Sequence, residues 1–170
     1  MSEGEQVIED DPEAEGRRLF LEELQRMNER GHSTTALVAA SALENFLEKA
    51  IKARMPHLNN ELAGKLFDGY GPFATFSAKI DTAYAMAIID RSVFKDIHVV
   101  REIRNVFAHP DGAAIVTFAH PKLDRIFSKW QDYRPNIDKP MFLQVKFKDI
   151  LERMKPAINS GVQARPGIVE

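Results

Sequence analysis

Apolar residues recur along most of this chain every three to four positions, the spacing that lines one face of an α-helix. Leu19, Phe20, Leu24 and Met27 trace a first amphipathic stretch, predicting a helix that stops at Gly31. Ser33, Thr34 and Thr35 offer an N-cap for a second helix. Its apolar positions are Leu37, Ala40, Leu43, Phe46, Leu47, Ala50 and Ile51, and the small residues 39–42 would let another helix approach closely. A short helix is expected around Glu61–Leu66, and Gly69-Tyr70-Gly71-Pro72 then breaks the pattern. A third major helix is predicted over Thr75–Ile89 and a fourth over Ser92–Ala108, capped by Asp90 or Ser92 and ended by Pro110-Asp111-Gly112. Ala113–Phe118 reads as a short extended piece with no strand partner. Pro121 opens a further helix carrying Leu123, Ile126, Phe127 and Trp130. Phe142–Phe147 alternates as a strand would, but Ile150, Leu151 and Met154 continue it at helical spacing, so helix is the better reading.

Six or seven helices with scarcely any strand predict an all-α single-domain bundle over residues 14–156. Residues 1–13 are expected to be an acidic disordered tail, and 157–170, rich in proline and glycine, a flexible C-terminal tail. With 170 residues, 44% of them hydrophobic, one such domain has enough apolar material for a sizeable core. No apolar run approaches the ~20 residues needed to span a bilayer, and no basic segment followed by an apolar stretch opens the sequence. There is no cysteine, which excludes disulfides, Fe–S clusters, cysteine-ligated zinc and a thiol nucleophile. A cytoplasmic address is the simplest reading.

The net charge of -2 hides an asymmetry. Residues 1–15 hold seven acids and no base, leaving 23 bases against 18 acids in the remainder. That mildly basic body permits nucleic-acid contact without demanding it. The tail is either a solubilising extension or a competitor for the basic body. Lys139, Lys146, Lys148, Arg153 and Lys155, preceded by Lys122, Arg125, Lys129 and Arg134, form a basic face whose simplest role is solvation.

Familiar chemical signatures are missing: there is no dinucleotide or phosphate-loop glycine pattern, no His-Glu-x-x-His, no EF-hand loop and no nucleophile elbow. Gly69-Tyr70-Gly71 sits between helices and reads as a turn needing positive φ, not as a phosphate cradle. His98 and Glu102, one turn apart, are two groups on a solvated helix face and do not make a metal site. No cofactor is implied. Tyr70, Phe73 and Phe76 could line a pocket, although aromatic residues at helix breaks usually fill core.

The informative segment is 97–110. On a helical wheel with Val100 at zero, Val93, Ile97, Ile103 and Phe107 form one apolar stripe, and Arg104 falls inside it at about 40°. A guanidinium left buried without a partner is costly, so Arg104 is expected to meet a carboxylate such as Asp81 or Glu44, to line a cleft, or to face a ligand or second subunit. Asn105 and His109 point elsewhere on a straight helix, but fraying before Pro110 could swing His109 back, and dimerisation could bring one Arg to the other His. A cation, an amide and an imidazole in one place suit a phosphodiester.

Arg104-Asn105-Val106-Phe107-Ala108-His109 resembles the Arg-x4–6-His signature of HEPN domains. A longer match runs through Leu37–Glu44, Leu66–Phe73, Phe76–Ala85 and Ile103–His109. In order and spacing these segments are similar to the mannitol operon repressor (MtlR) family, over roughly Gly31 to Trp130. The resemblance implies an all-helical, HEPN-like fold, a homodimer, and bacterial transcription regulation without a helix-turn-helix, through DNA or a regulatory protein partner. The alternative is a HEPN-type, metal-independent ribonuclease acting on RNA. There Arg104 would stabilise the phosphorane and His109 would move the proton, with Asn105 as orienter and His120 or Tyr84 as weaker candidates to assist. In a purely structural reading, Arg104, Asn105 and His109 pair with Asp81, Glu44 and the backbone. The expected cluster joins Gly69, Tyr70, Gly71 and Pro72 to Asp81 and the Arg104–His109 segment.

Overall fold

A computed structural model describes residues 12–109 and 116–162, with side chains for 31–109 and 116–156. Six α-helices make up the described part: α1 Pro12–Ala53, α2 Asn60–Phe67, α3 Phe76–Ala85, α4 Arg91–Ala108, α5 Pro121–Phe127 and α6 Lys139–Val162. The fold is all-α, as the periodicity predicts. Residues 110–115, with the first half of the expected extended piece, and the outer parts of both tails lie outside the described residues.

Gly31 does not end a helix. α1 runs through it without a break, so the two predicted helices are one. A glycine inside a helix is worth only about 1 kcal/mol against it, which neighbouring turns offset. Thr35 does not cap either: its hydroxyl donates to the Gly31 carbonyl one turn back, at 3.0 Å. The ambiguous 142–147 segment is helical within α6, and that helix continues through Pro156 to Val162.

Local chemistry sets the other ends. Asn59, Thr75 and Asp90 each accept a hydrogen bond from a backbone N–H in the first turn of α2, α3 and α4, satisfying donors the helix cannot. α3 stops at Ala85, four residues before the predicted end. There Ala87 takes a positive φ of 54°, Ala87 N–H donates to Tyr84 O at 3.0 Å, and Ile88 N–H donates to Ala83 O at 2.8 Å. This is the paired closure of a Schellman motif, built with alanine where glycine is usual. α5 ends at Phe127, so Trp130 belongs to the turn that follows.

α1 packs on α3, α4 and α6, and α4 also touches α3, α5 and α6. Leu43, Leu47 and Ile51 of α1 meet Ile80, Ile97, Ile103, Leu143 and Ile150 in a fully buried core. Phe127 anchors an aromatic annex with Phe118, Trp130, Tyr133 and Phe142, ring centres 5.4 to 6.2 Å from its own. No helix among the described residues is long and apolar enough to cross a membrane.

Candidate functional site

The last turn of α4 carries the expected chemistry. Arg104 is half-buried, and its Nη1 donates to Asn105 Oδ1 at 3.2 Å. Asn105 lines a concavity of about 250 Å³ together with Val106, His109, His120 and Lys122. His109 is the C-cap of α4, where its N–H closes the helix on Asn105 O at 3.0 Å. His120 is the N-cap of α5, and its Nδ1 accepts the Lys122 N–H at 3.2 Å. An imidazole whose Nδ1 accepts is left with its proton on Nε2 when neutral. Two helix ends thus bring two imidazoles, an amide and an ammonium to one hollow, a set able to hold a phosphodiester and exchange protons with it.

The expected pairing of Arg104 with Asp81 or Glu44 does not form. Asp81 is exposed and faces His98, whose Nε2 lies 3.3 Å from its Oδ1. Glu44 binds Lys79. Arg104 tolerates its place in the apolar stripe because its aliphatic stem can lie along that stripe while the guanidinium reaches the edge. The buried cation is Lys79, 5% exposed, at 2.9 Å from both Glu44 and Glu48. Burial opposes the charge on Lys79, but Glu48 and Glu44 outweigh it and hold the ammonium above its usual pKa. Burial likewise opposes ionisation of Glu48, and Lys52 and Lys79 outweigh it, holding the carboxyl below its usual value. The wheel that singled out Arg104 also sets Lys79 about 40° from Ala83 on the apolar side of α3, a signal the sequence reading missed.

The Gly69–Pro72 loop is tied to α2. Gly71 N–H donates to Asp68 O at 2.9 Å and Phe73 N–H to Leu66 O at 2.8 Å, so these amides close a helix end and do not cradle an anion. Gly69 has a φ of 57°, as its turn requires. A Cβ on Gly71 would lie 2.5 Å from Leu66 O, so only glycine fits. Pro72 is exposed beside it, and Tyr70 stands wholly in solvent. Phe73 stacks at 5.4 Å on Phe67 and Phe76 is buried, so the three aromatics line no common pocket. The hydrogen bonds of this loop run to α2, Asp81 faces His98 and Arg104 reaches Asn105, so no ion pair joins Asp81 to Arg104.

A second concavity, of about 620 Å³, lies at the start of α4. Arg91 and Lys95 of α4, Lys129 after α5, and Lys146 and Arg153 of α6 surround it, with Asp96, Asp132 and Asp149 among them. Trp130 at its side donates through Nε1 to Asp96 at 2.9 Å, and Arg153 binds the same carboxylate. Lys146 pairs with Asp132 at 2.6 Å; burial resists ionisation of Asp132, yet this contact and a backbone hydrogen bond keep its carboxyl below the usual range. Lys139 of the predicted basic face goes instead to Asp124 at 2.9 Å. Among the described residues no three His, Asp or Glu side chains converge as metal ligands; Glu102 meets Lys129, not His98. No family model, curated protein or solved structure matches this chain.

Proposed function

We propose that this chain is a bacterial transcription regulator of the kind the mannitol operon repressors represent, cytoplasmic, dimeric and acting through nucleic acid. The observation that carries the nucleic-acid part is the gathering of Arg91, Lys95, Lys129, Lys146 and Arg153 around one concavity from three separate segments. Phosphate recognition needs such a concentration of guanidinium and ammonium groups. The mannitol assignment rests on the sequence resemblance. It is tested by deleting the gene and measuring mannitol-operon transcripts: a several-fold rise is expected, and unchanged transcript levels would overturn it.

A second reading is a metal-independent ribonuclease, favoured by the hollow shared by Asn105, His109, His120 and Lys122 beside Arg104. One imidazole would take the proton of the attacking hydroxyl, the other would give one to the leaving oxygen, and Arg104 would balance charge on the phosphorane. Incubation with labelled RNA in EDTA, beside Arg104→Ala and His109→Ala, decides it. Cleavage by the unaltered protein alone supports the enzyme; no cleavage by folded protein removes it.

A further inference from the structure

The concavities along α4 form one line. The hollow at His109 and His120 shares Lys122 with a second hollow that holds Arg125 and Lys129. That one shares Glu102 and Lys129 with a third, beside Phe94 and His98. The third shares Lys95, Asp96 and Lys129 with the large basin at Arg91 and Arg153. Each hollow adjoins the next, and together they make a segmented trough beside α4, an 18-residue helix about 27 Å long at 1.5 Å per residue. Seven cations lie along it against four carboxylates, Asp96, Glu102, Asp132 and Asp149. Arg91, Lys95 and Arg125 have no ion-pair partner among the described residues, so their charge is available to a ligand.

From this we infer that the trough binds a single strand of nucleic acid by its phosphodiester backbone, an inference that rests on the nucleic-acid reading above and narrows it. A duplex is recognised by a helix or ribbon that enters its ~12 Å major groove. α4 does the reverse: it forms a wall of the trough and packs on four other helices, while α5 is only seven residues long. A row of cations beside one helix suits the backbone of a strand, and 27 Å accommodates on the order of eight nucleotides at the 3.4 Å spacing of a stacked strand. The flanking rings are committed to the protein: Trp130 is buried, and Phe94 packs between Tyr84 and His98 at 4.5 Å from each. Recognition therefore runs through charge and is largely independent of sequence. A regulator with this trough acts on a transcript or on melted DNA.

The test is fluorescence anisotropy with the full chain, using a labelled RNA of about 12 nucleotides, its DNA counterpart and the matching duplex, each over a range of salt. The single strands are expected to bind, and the RNA and DNA arms tell which backbone is preferred. The double variant Lys95→Glu/Arg125→Glu should weaken binding about tenfold or more and flatten the log–log salt slope by about 1.4, or 0.7 per lost phosphate contact. Lys49→Glu, an exposed charge reversal on α1, should leave binding intact. Arg91→Gln supplies the same test should the double variant unfold. Duplex binding tighter than the single strands would overturn the strand inference and leave the nucleic-acid reading standing. Binding of no nucleic acid at all would remove both. Single-strand binding indifferent to the trough variants, or equal displacement by a polyglutamate peptide, would overturn the trough as a nucleic-acid site.

Discussion

Lys79 on α3 donates to Glu44 on α1 across 2.9 Å and 35 residues of sequence, and Glu48 takes the same ammonium. This clip fixes the register of α3 against α1. Lys79→Ala would leave two neighbouring carboxylates with only Lys52 to offset them. The expected loss is about 2 kcal/mol, below the ~3–5 kcal/mol of a wholly buried pair because both carboxylates are one-quarter exposed. Urea unfolding measures it, and a change near zero would mean the clip is dispensable.

The same cluster gives a pH window. Glu48 is depressed on folding, so its contribution is complete above its ordinary value of 4.5 and is lost as pH falls through the lower folded value. Lys79 is raised on folding, so its contribution is complete below 10.5 and is lost as pH rises through the higher folded value. Stability of the native protein should change little through this cluster between those limits. The Lys79→Met variant should show a smaller loss toward acid than the parent in melts across pH.

Two loop positions should respond in opposite directions. Gly71→Ala drives a Cβ into the Leu66 carbonyl and should cost about 2–3 kcal/mol, since backbone must move. Ala87→Gly relieves a left-handed alanine and should stabilise by up to about 1 kcal/mol. Thermal melts of the two variants check both signs together.

Trp130 is the only tryptophan, so the Asp96 contact can be followed optically. Asp96→Ala leaves the buried indole N–H without its acceptor, while Arg153 keeps Asp149 at 3.1 Å. A loss of about 2 kcal/mol is expected, with a red-shifted emission as water reaches the ring. An unchanged spectrum would place the indole N–H in another bond.

Helices with strong periodicity and a marked start were legible in the sequence, as at Asp90 and Pro121. Their interruptions were harder to read. Gly31 looks like a stop, but a lone glycine is a weak breaker within a long packed helix. The end of α3 was invisible because alanine occupies the position glycine usually marks. At the site, the rule that a cation in an apolar stripe needs a carboxylate does not hold for Arg104, which was expected to take Asp81 or Glu44, although the second of these acids does hold a buried cation. That cation is Lys79, because a pairing across helices depends on which faces meet, and one helix's wheel does not contain that. His109 and His120 lie eleven residues apart, and only the return of the chain into α5 brings them to one hollow.

The aromatic annex around Phe127 has a kinetic consequence. Phe118, Trp130, Tyr133 and Phe142 all lie within fifteen residues of Phe127 in sequence, so gathering them closes only short loops. Loop closure of that size loses little entropy, whereas joining α1 to α6 must bring together segments about a hundred residues apart. The α5–α6 corner is therefore placed to consolidate before the bundle closes, and Trp130 emission in a refolding experiment would mature ahead of the helical signal of α1.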